Sequence, residues 1–464
     1  MSGAEVRIPR ATAQIQGINA RVDTVTTHFG INAFPSVSVS FHGANVPKGV
    51  LSPAGSDVAN LVASQQNQMF TSQSANSSIF MDDGKDRTLE FNGFISGPNY
   101  TLGVGNVGLN TTIVHSASAV SNLKTNIYTN RQGAFRDGST PMQPEIGIGL
   151  WNILTKLRDT KLHTLPDEES KAIVAQVDAN NANALEIWNR ICTSSEVEWP
   201  ELETLLEYPQ VKTNLLSQIA DIYTNPYNDF VQTMQQFQAM FAMIYVPSLE
   251  ADNPGKFIPA SAAVDGDAED VKLRIRSISM SAGPRNIMPL SYVAVRGPKP
   301  QNHRKVQYGH IIRRWPTAPV STGQVVELGP PNWLPTALVA GRASGDTVGD
   351  TLSLAGYKSD RINKDRRLYE VIFPAVGELL DRWAQQHYTD FALANAYAHV
   401  ITDLDVSAEP GTRYNVSSAN GALFTGFLVG VEHSVSSKPQ QLQAYTKLTF
   451  SHVEANGFTL PFKS

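Results

Sequence analysis

Three groupings in this chain carry the residue types that chemistry needs. The run Gly103-Val104-Gly105-Asn106-Val107-Gly108 has the G-x-G-x-x-G spacing that brings backbone amides close to a pyrophosphate. Such a site needs a helix N-terminus directly after the glycines and an acidic residue about twenty positions further on. Here the strand-like Asn110 to Val114 follows instead, with no carboxylate at the second place, so the run reads as a strand-linking loop. Glu196, Glu198, Glu201 and Glu203 crowd four carboxylates around Pro200, a pattern that suits a solvated helix start. Cys192, beside Trp188 and Ile191, sits among apolar neighbours that raise a thiol's pKa and leave it inert.

The ten histidines are scattered. They form no H-E-x-x-H, and no second cysteine is present to complete a zinc site. No G-x-S-x-G and no phosphate-binding loop occur either. The expectation is therefore no catalytic residues, no metal and no cofactor, and the chain reads as a non-enzyme. A basic run is the remaining candidate: Arg296, Lys299, Arg304, Lys305, Arg313 and Arg314, with Tyr308 and Trp315 interleaved. Such a mixture can grip single-stranded nucleic acid. The same side chains can equally face an acidic region or a neighbouring subunit, and an interface at Arg296, Arg304, Lys305, Arg313 and Arg314, or a solvated loop, is the expected role.

The elements that must position these residues follow from periodicity. The chain has 464 residues, 17% of them charged, and a net charge of −5. Split along the chain, the net charge is zero over residues 1–150, −12 over 151–270, +9 over 271–346 and −2 over 347–464. Opposed blocks of this size point to contacts within or between subunits. A single cysteine excludes an intrachain disulfide. The N-terminus has no apolar segment of the secretory kind, and the longest apolar stretch, Ala239 to Pro247, is too short to span a bilayer as a helix.

Period-two alternation marks strands at Ser36 to Phe41, Thr88 to Ile95 and Asn110 to Val114, while Asp57 to Phe70 reads as a short helix or a loop and its continuation to Ser78 as an exposed excursion. From residue 146 the pattern becomes helical. Leu150, Ile153, Leu154 and Leu157 share a face, Pro166-Asp167 opens a second helix and Pro200 a third, and Val211, Leu215, Leu216, Ile219 and Ile222 stripe a fourth. Asn225-Pro226 opens a fifth helix striped by Phe230, Met234, Phe237, Phe241 and Ile244. Period two returns at Val271 to Ile278, Leu290 to Val295 and Gln324 to Leu328, and Leu368 to Val400 reads as helix. Leu423 to Val435 and Ala444 to Val453 form a hairpin around Ser436 to Gln441.

That hairpin resembles the end of the baseplate or tail hub proteins of tailed bacteriophages. In that family a strand of the form G-x-apolar-x-x-V-x-H is followed by a short loop and a strand ending near His-Val. Gly426, Val429, Val431 and His433 match the first strand; Thr446, Leu448, Phe450, His452 and Val453 match the second. Phe91, Gly93 and Ile95 are similar to the family's first barrel domain, although Glu454 stands where the family places an arginine.

The resemblance implies an α+β chain with two tube-like β-barrel domains. Taken with the residue patterns above, the chain divides into an N-terminal arm (1–20), a first tube-like β domain (21–145), a helical acidic insertion domain (146–250) larger than in minimal hubs, a β and Pro/Gly-rich basic middle domain (251–365) and a helix plus C-terminal β hairpin of the second tube-like domain (366–464). The resemblance further implies a homotrimeric hub that joins a sixfold tail tube to a threefold central spike, contacts other baseplate proteins and lets DNA pass during ejection. Such a protein is made in the host cytoplasm, resides in the virion tail and has no stable membrane association. A tail tube or distal adaptor protein is the nearest alternative, and a nucleic-acid-binding protein is the alternative from another class.

Overall fold

The computed structural model describes residues 8–42, 76–118, 186–197, 242–282, 290–295, 311–314, 324–328, 382–419, 421–438 and 441–455, short breaks within these ranges aside, together with Gln238. Strands dominate. The N-terminal ones are β1 (Arg10–Ile15), β2 (Ile18–Arg21), β3 (Thr24–Gly30), β4 (Ser36–His42), β5 (Asn76–Asp82), β6 (Thr88–Gly103) and β7 (Asn106–His115). The middle of the chain gives β8 (Met243–Val246), β9 (Lys256–Pro259), a single turn of helix α1 (Ala262–Asp265), β10 (Glu269–Lys272), β11 (Ile275–Ala282), β12 (Leu290–Val295), β13 (Ile311–Arg314) and β14 (Gln324–Leu328). β15 (Ala396–Thr402), β16 (Arg413–Ser418), β17 (Gly421–Lys438) and β18 (Gln441–Ala455) complete the set.

Thirteen of these strands form one sheet in the order β11-β15-β18-β17-β3-β4-β7-β6-β5-β1-β2, with β16 added to β17 and β10 to β16. All its pairings are antiparallel except β10 with β16. The alternation that fixes this arrangement is plain in β4, SVSVSFH, where Val37, Val39 and Phe41 are buried and the serines face outward. Long β17 has two partners along one edge: its first half takes β16 and its second half takes β3. Residues from both ends of the chain, from Ala13 and Ile15 to Leu428 and Phe450, share one hydrophobic core.

Two expectations are corrected. The N-terminal and C-terminal strands do not make two tube-like β-barrel domains, because the β3–β17 ladder fuses them into a single open sheet over a common core. Nor do the described residues contain a helical insertion domain: they are mostly β with only short helices, so the α+β assignment fails. The physical reason is visible at β8. Ile244 was expected on a helical stripe, yet Met243 to Val246 is a strand with every residue buried. A short, fully buried apolar run has no period-two signature to separate it from a helix. The same confusion affects Tyr397 and Val400, expected on a helix and found on β15, where Val400 pairs with Leu448. Within 146–242 the described residues include helical positions at Glu186, Ile187, Arg190, Ile191 and Thr193; the other stripes lie outside the described residues. No helix among the described residues is long and apolar enough to cross a membrane.

The β8–β9 hairpin braces the sheet from one side. Tyr245 is fully buried, its ring edge-on to Phe34 at 5.6 Å and to Phe257 at 5.9 Å, and its hydroxyl donates to the Pro254 carbonyl. Asn32, at φ 59°, ties the β3–β4 turn to this hairpin. Its N–H donates to the Tyr245 carbonyl at 2.8 Å, and its Oδ1 accepts the Tyr245 N–H at 2.9 Å and Gln238 Nε2 at 2.7 Å. Asn32→Ala deletes that acceptor and places a methyl group on left-handed backbone. We expect a loss of about 2 kcal/mol, read as a lower urea midpoint at unchanged slope, with Asn32→Gly losing less because only the side-chain bonds go.

Candidate functional site

The hairpin positions singled out by the sequence occupy structurally demanding places. Gly426 is buried opposite Tyr414, and a Cβ there would sit 3.2 Å from the Cβ of Phe450 and 3.4 Å from the Phe424 ring. Glycine thus allows β17 to approach the Phe450 Cβ of β18 closely, beside the edge-to-face pair of Phe424 and Phe450 at 5.2 Å. Val429 lies in a bulge between Leu428 and Gly430, and its carbonyl accepts the Ile31 N–H at 3.0 Å. This bulge shifts the alternation: Phe424 and Leu428 face the core before it, Val431, His433 and Val435 after it. Sequence alternation alone puts Phe427, Val431 and His433 on one face and Leu428 on the other, whereas all four are buried.

His433 is wholly buried. Its Nδ1 lies 2.9 Å from Thr446 Oγ1, its ring is 6.0 Å from that of Phe29, and burial lowers its pKa to about 4. His452, at φ 50°, brings Nε2 to 3.4 Å from Glu454, which also takes Arg413 at 3.3 Å. The hydrogen bond from His452 draws the Glu454 carboxyl below its usual range; desolvation opposes this and the charges of His452 and Arg413 add to it.

Of the basic residues, Arg313 and Arg314 lie on β13, in register with Val293 and Tyr292 of β12, and β14 pairs on the other side of β12. Arg296, Arg304 and Lys305 lie outside the described residues, as do Cys192, Glu198, Glu201 and Glu203. Glu196 is paired with Lys256. Gly103 and Asn106 pair at the close of the β6–β7 hairpin, so the glycine-rich run joins two strands. No group of three His, Cys, Asp or Glu residues among those described could hold a metal ion.

Two surface features escaped the sequence reading. On β11, Ile278 and Met280 stand opposite Val400 and Ala398 of β15. Cross-strand partners share a face. The β15 pair is completely buried, whereas Ile278 and Met280 are 41% and 39% exposed. The core face thus continues past β15 onto the last strand of the sheet. On the opposite face, Gly30 and Gly430 pair across β3 and β17 at a cleft of about 320 Å³, flanked by Phe34, His28, Glu432 and Lys447. The visible signal for the first was the alternation of Ile278, Met280 and Ala282 with serines.

No family model matches the chain, and no curated protein is similar to it at a significant level. Solved structures are. The tail protein of Neisseria meningitidis MC58 shares 9% identity over 96% of both chains, with a TM-score of 0.44. The 43 kDa tail protein of prophage MuSo2 from Shewanella oneidensis shares 6% identity over 96% of this chain and 100% of its own, with a TM-score of 0.48. Prophage tail protein gp18 from Listeria monocytogenes shares 9% over 95% of this chain and 94% of its own, with a TM-score of 0.40. Each is described as a tail protein, the class that the C-terminal hairpin resembles.

Proposed function

We propose that this chain is a structural protein of a phage tail, acting as the hub at its distal end. The observation that carries the reading is the match of the C-terminal hairpin to the hub pattern, together with its place in the sheet. The matched residues, Gly426, Val429, Val431 and His433, lie along the strand that joins the two ends of the chain. A protein that transmits load between a tube and a spike needs a rigid continuous element, and a multistranded sheet with a shared core provides one. Its strand β11, the last of the sheet among the described residues, exposes Ile278 and Met280 on the continuation of the core face, a surface that assembly would cover. The proposed assembly is a homotrimer that meets a sixfold tail tube on one face and a threefold central spike on the other. Other baseplate proteins surround it, and DNA passes through its centre during ejection. It resides in the virion tail after synthesis in the host cytoplasm.

Solution mass at high concentration and averaged electron-microscope projections test this. Threefold particles with a central hole are expected; sixfold rings would favour a tail tube protein, and monomers alone would end the hub reading. The basic strand β13 supports nucleic-acid binding only weakly, and absence of a gel shift at low salt would close that reading.

A further inference from the structure

Among the described residues, β3–β17 is the one strand pairing that joins the N-terminal strands to the C-terminal ones. It is interrupted in the middle. Gly430 and Val431 pair with Gly30 and Phe29, and Ser434 to Ser436 pair with Thr26 to Thr24, but Glu432 and His433 have no ladder partner between them. There the Thr27 side chain replaces the backbone: its Oγ1 accepts the His433 N–H at 3.0 Å and lies 3.5 Å from the His433 carbonyl. The gap in the backbone ladder therefore coincides with a fully buried titratable side chain.

The surroundings of that side chain accept only its neutral form. Thr446 Oγ1 already takes the Asp405 N–H at 2.8 Å and can donate to the Asp405 carbonyl at 3.2 Å. The imidazole then donates from Nδ1 to Thr446, and Nε2 is left without a hydrogen-bond partner among the described residues. A bare lone pair in an apolar site is tolerable, whereas the second N–H of an imidazolium would be buried with no acceptor. From β3 the facing groups are Thr27 and Phe29, and from β18 Thr446, none of which titrates in this range. The segment after β15 contributes Asp405, which draws a proton toward His433 and is itself bonded to Ser407 and 3.9 Å from Arg87. Beyond Phe29, Phe91 at 6.2 Å and then His115 at 5.5 Å continue the row of rings. His28, Glu432 and Lys447 alternate onto the opposite face.

We propose that the β3–β17 joint is a proton-operated latch: the closed joint disfavours the cation of His433, so acid opens the sheet between its N-terminal and C-terminal halves. Burial holds this imidazole near 4, with the Asp405 carboxylate offsetting only part of the effect. A released imidazole titrates near its ordinary value of about 6.5. Closure is therefore fully stable above that value and weakens about tenfold per pH unit as pH falls toward 4, below which this group adds nothing more.

Hydrogen exchange of the full chain from pH 7 to pH 4, corrected for intrinsic rates, tests the latch. Peptides covering β3 and the second half of β17 should lose protection about tenfold per unit, while those covering the β6–β7 hairpin hold theirs. In His433→Gln, which cannot be charged, the β3 and β17 dependence should vanish. Protection independent of pH in the wild type, or an equal dependence in His433→Gln, overturns the proposal, as does simultaneous loss at β6–β7. Should the glutamine variant fail to fold, histidine-labelled NMR of the wild type decides: a His433 midpoint near 6.5 with β3 still protected also overturns it.

Discussion

Gly93→Ala is expected to cost at least about 3 kcal/mol, because the added methyl group would meet backbone instead of a yielding side chain. A Cβ at Gly93 would collide with the Val114 carbonyl oxygen and stand 2.8 Å from its carbon and 3.0 Å from Ile113 Cγ2. The β6–β7 ladder pairs Gly93 with His115, so relief requires the strands to part where they hold the core. His115 cannot move freely. Its N–H donates to the Pro35 carbonyl at 2.9 Å and its ring packs on Phe91. Guanidinium unfolding should show a lowered midpoint, or no cooperative transition at all. Gly30→Ala is the control: its Cβ meets nothing nearer than the Val429 carbonyl at 3.7 Å, so the change should lie within about 1 kcal/mol of neutral and can stabilise by restricting the unfolded chain. Equal losses in the two variants would refute the argument.

That contrast also marks what sequence could carry. Phe91, Gly93 and Ile95 were legible as part of a strand, and the clash explains why glycine belongs there. Strands whose outward residues are polar and inward ones bulky, such as β4, β17 and β18, announced themselves by alternation. β1 did not, since its buried positions include Ala11 and Ala13, whose small side chains give little hydropathic contrast with Thr12 and Gln14. The first residues of β5, Asn76 to Ser78, are polar and read as the end of an exposed excursion, yet Ser77 is completely buried. β8 failed for the opposite reason, being apolar throughout. The strand order was beyond reach in all cases: Val431 meets Phe29 across some four hundred residues of chain, and no local pattern encodes that pairing. The hairpin residues were found through family likeness, while their partners Thr27, Asp405 and Arg413 are polar residues whose roles arise only from the fold.

Phe450→Ala should be the costliest single truncation in the hairpin, about 4 kcal/mol, toward the upper part of the range for buried aromatics. Phe450 is 1% exposed, stands edge-on to Phe424 at 5.2 Å and to Tyr414 at 6.5 Å, and pairs with Ala398 on β15 and Leu428 on β17. The cost depends on whether neighbours can refill the void, and here they are small or fixed. Gly426 has no side chain, Ala398 is a methyl, and Leu428 is held by paired backbone, its N–H on the Thr412 carbonyl and its own carbonyl on Gly411. Gly426→Ala offers no rescue, because the added Cβ would press at 3.2 Å on the Cβ of residue 450, which alanine retains. The two substitutions should therefore add, with a coupling energy below about 0.5 kcal/mol in a double-mutant cycle. Phe450→Leu, which keeps most of the volume, should lose about half as much. A strongly favourable coupling in the Gly426→Ala, Phe450→Ala pair would mean that the methyl enters the space the ring vacates, and that the glycine serves the aromatic ring instead of the approach of the two strands.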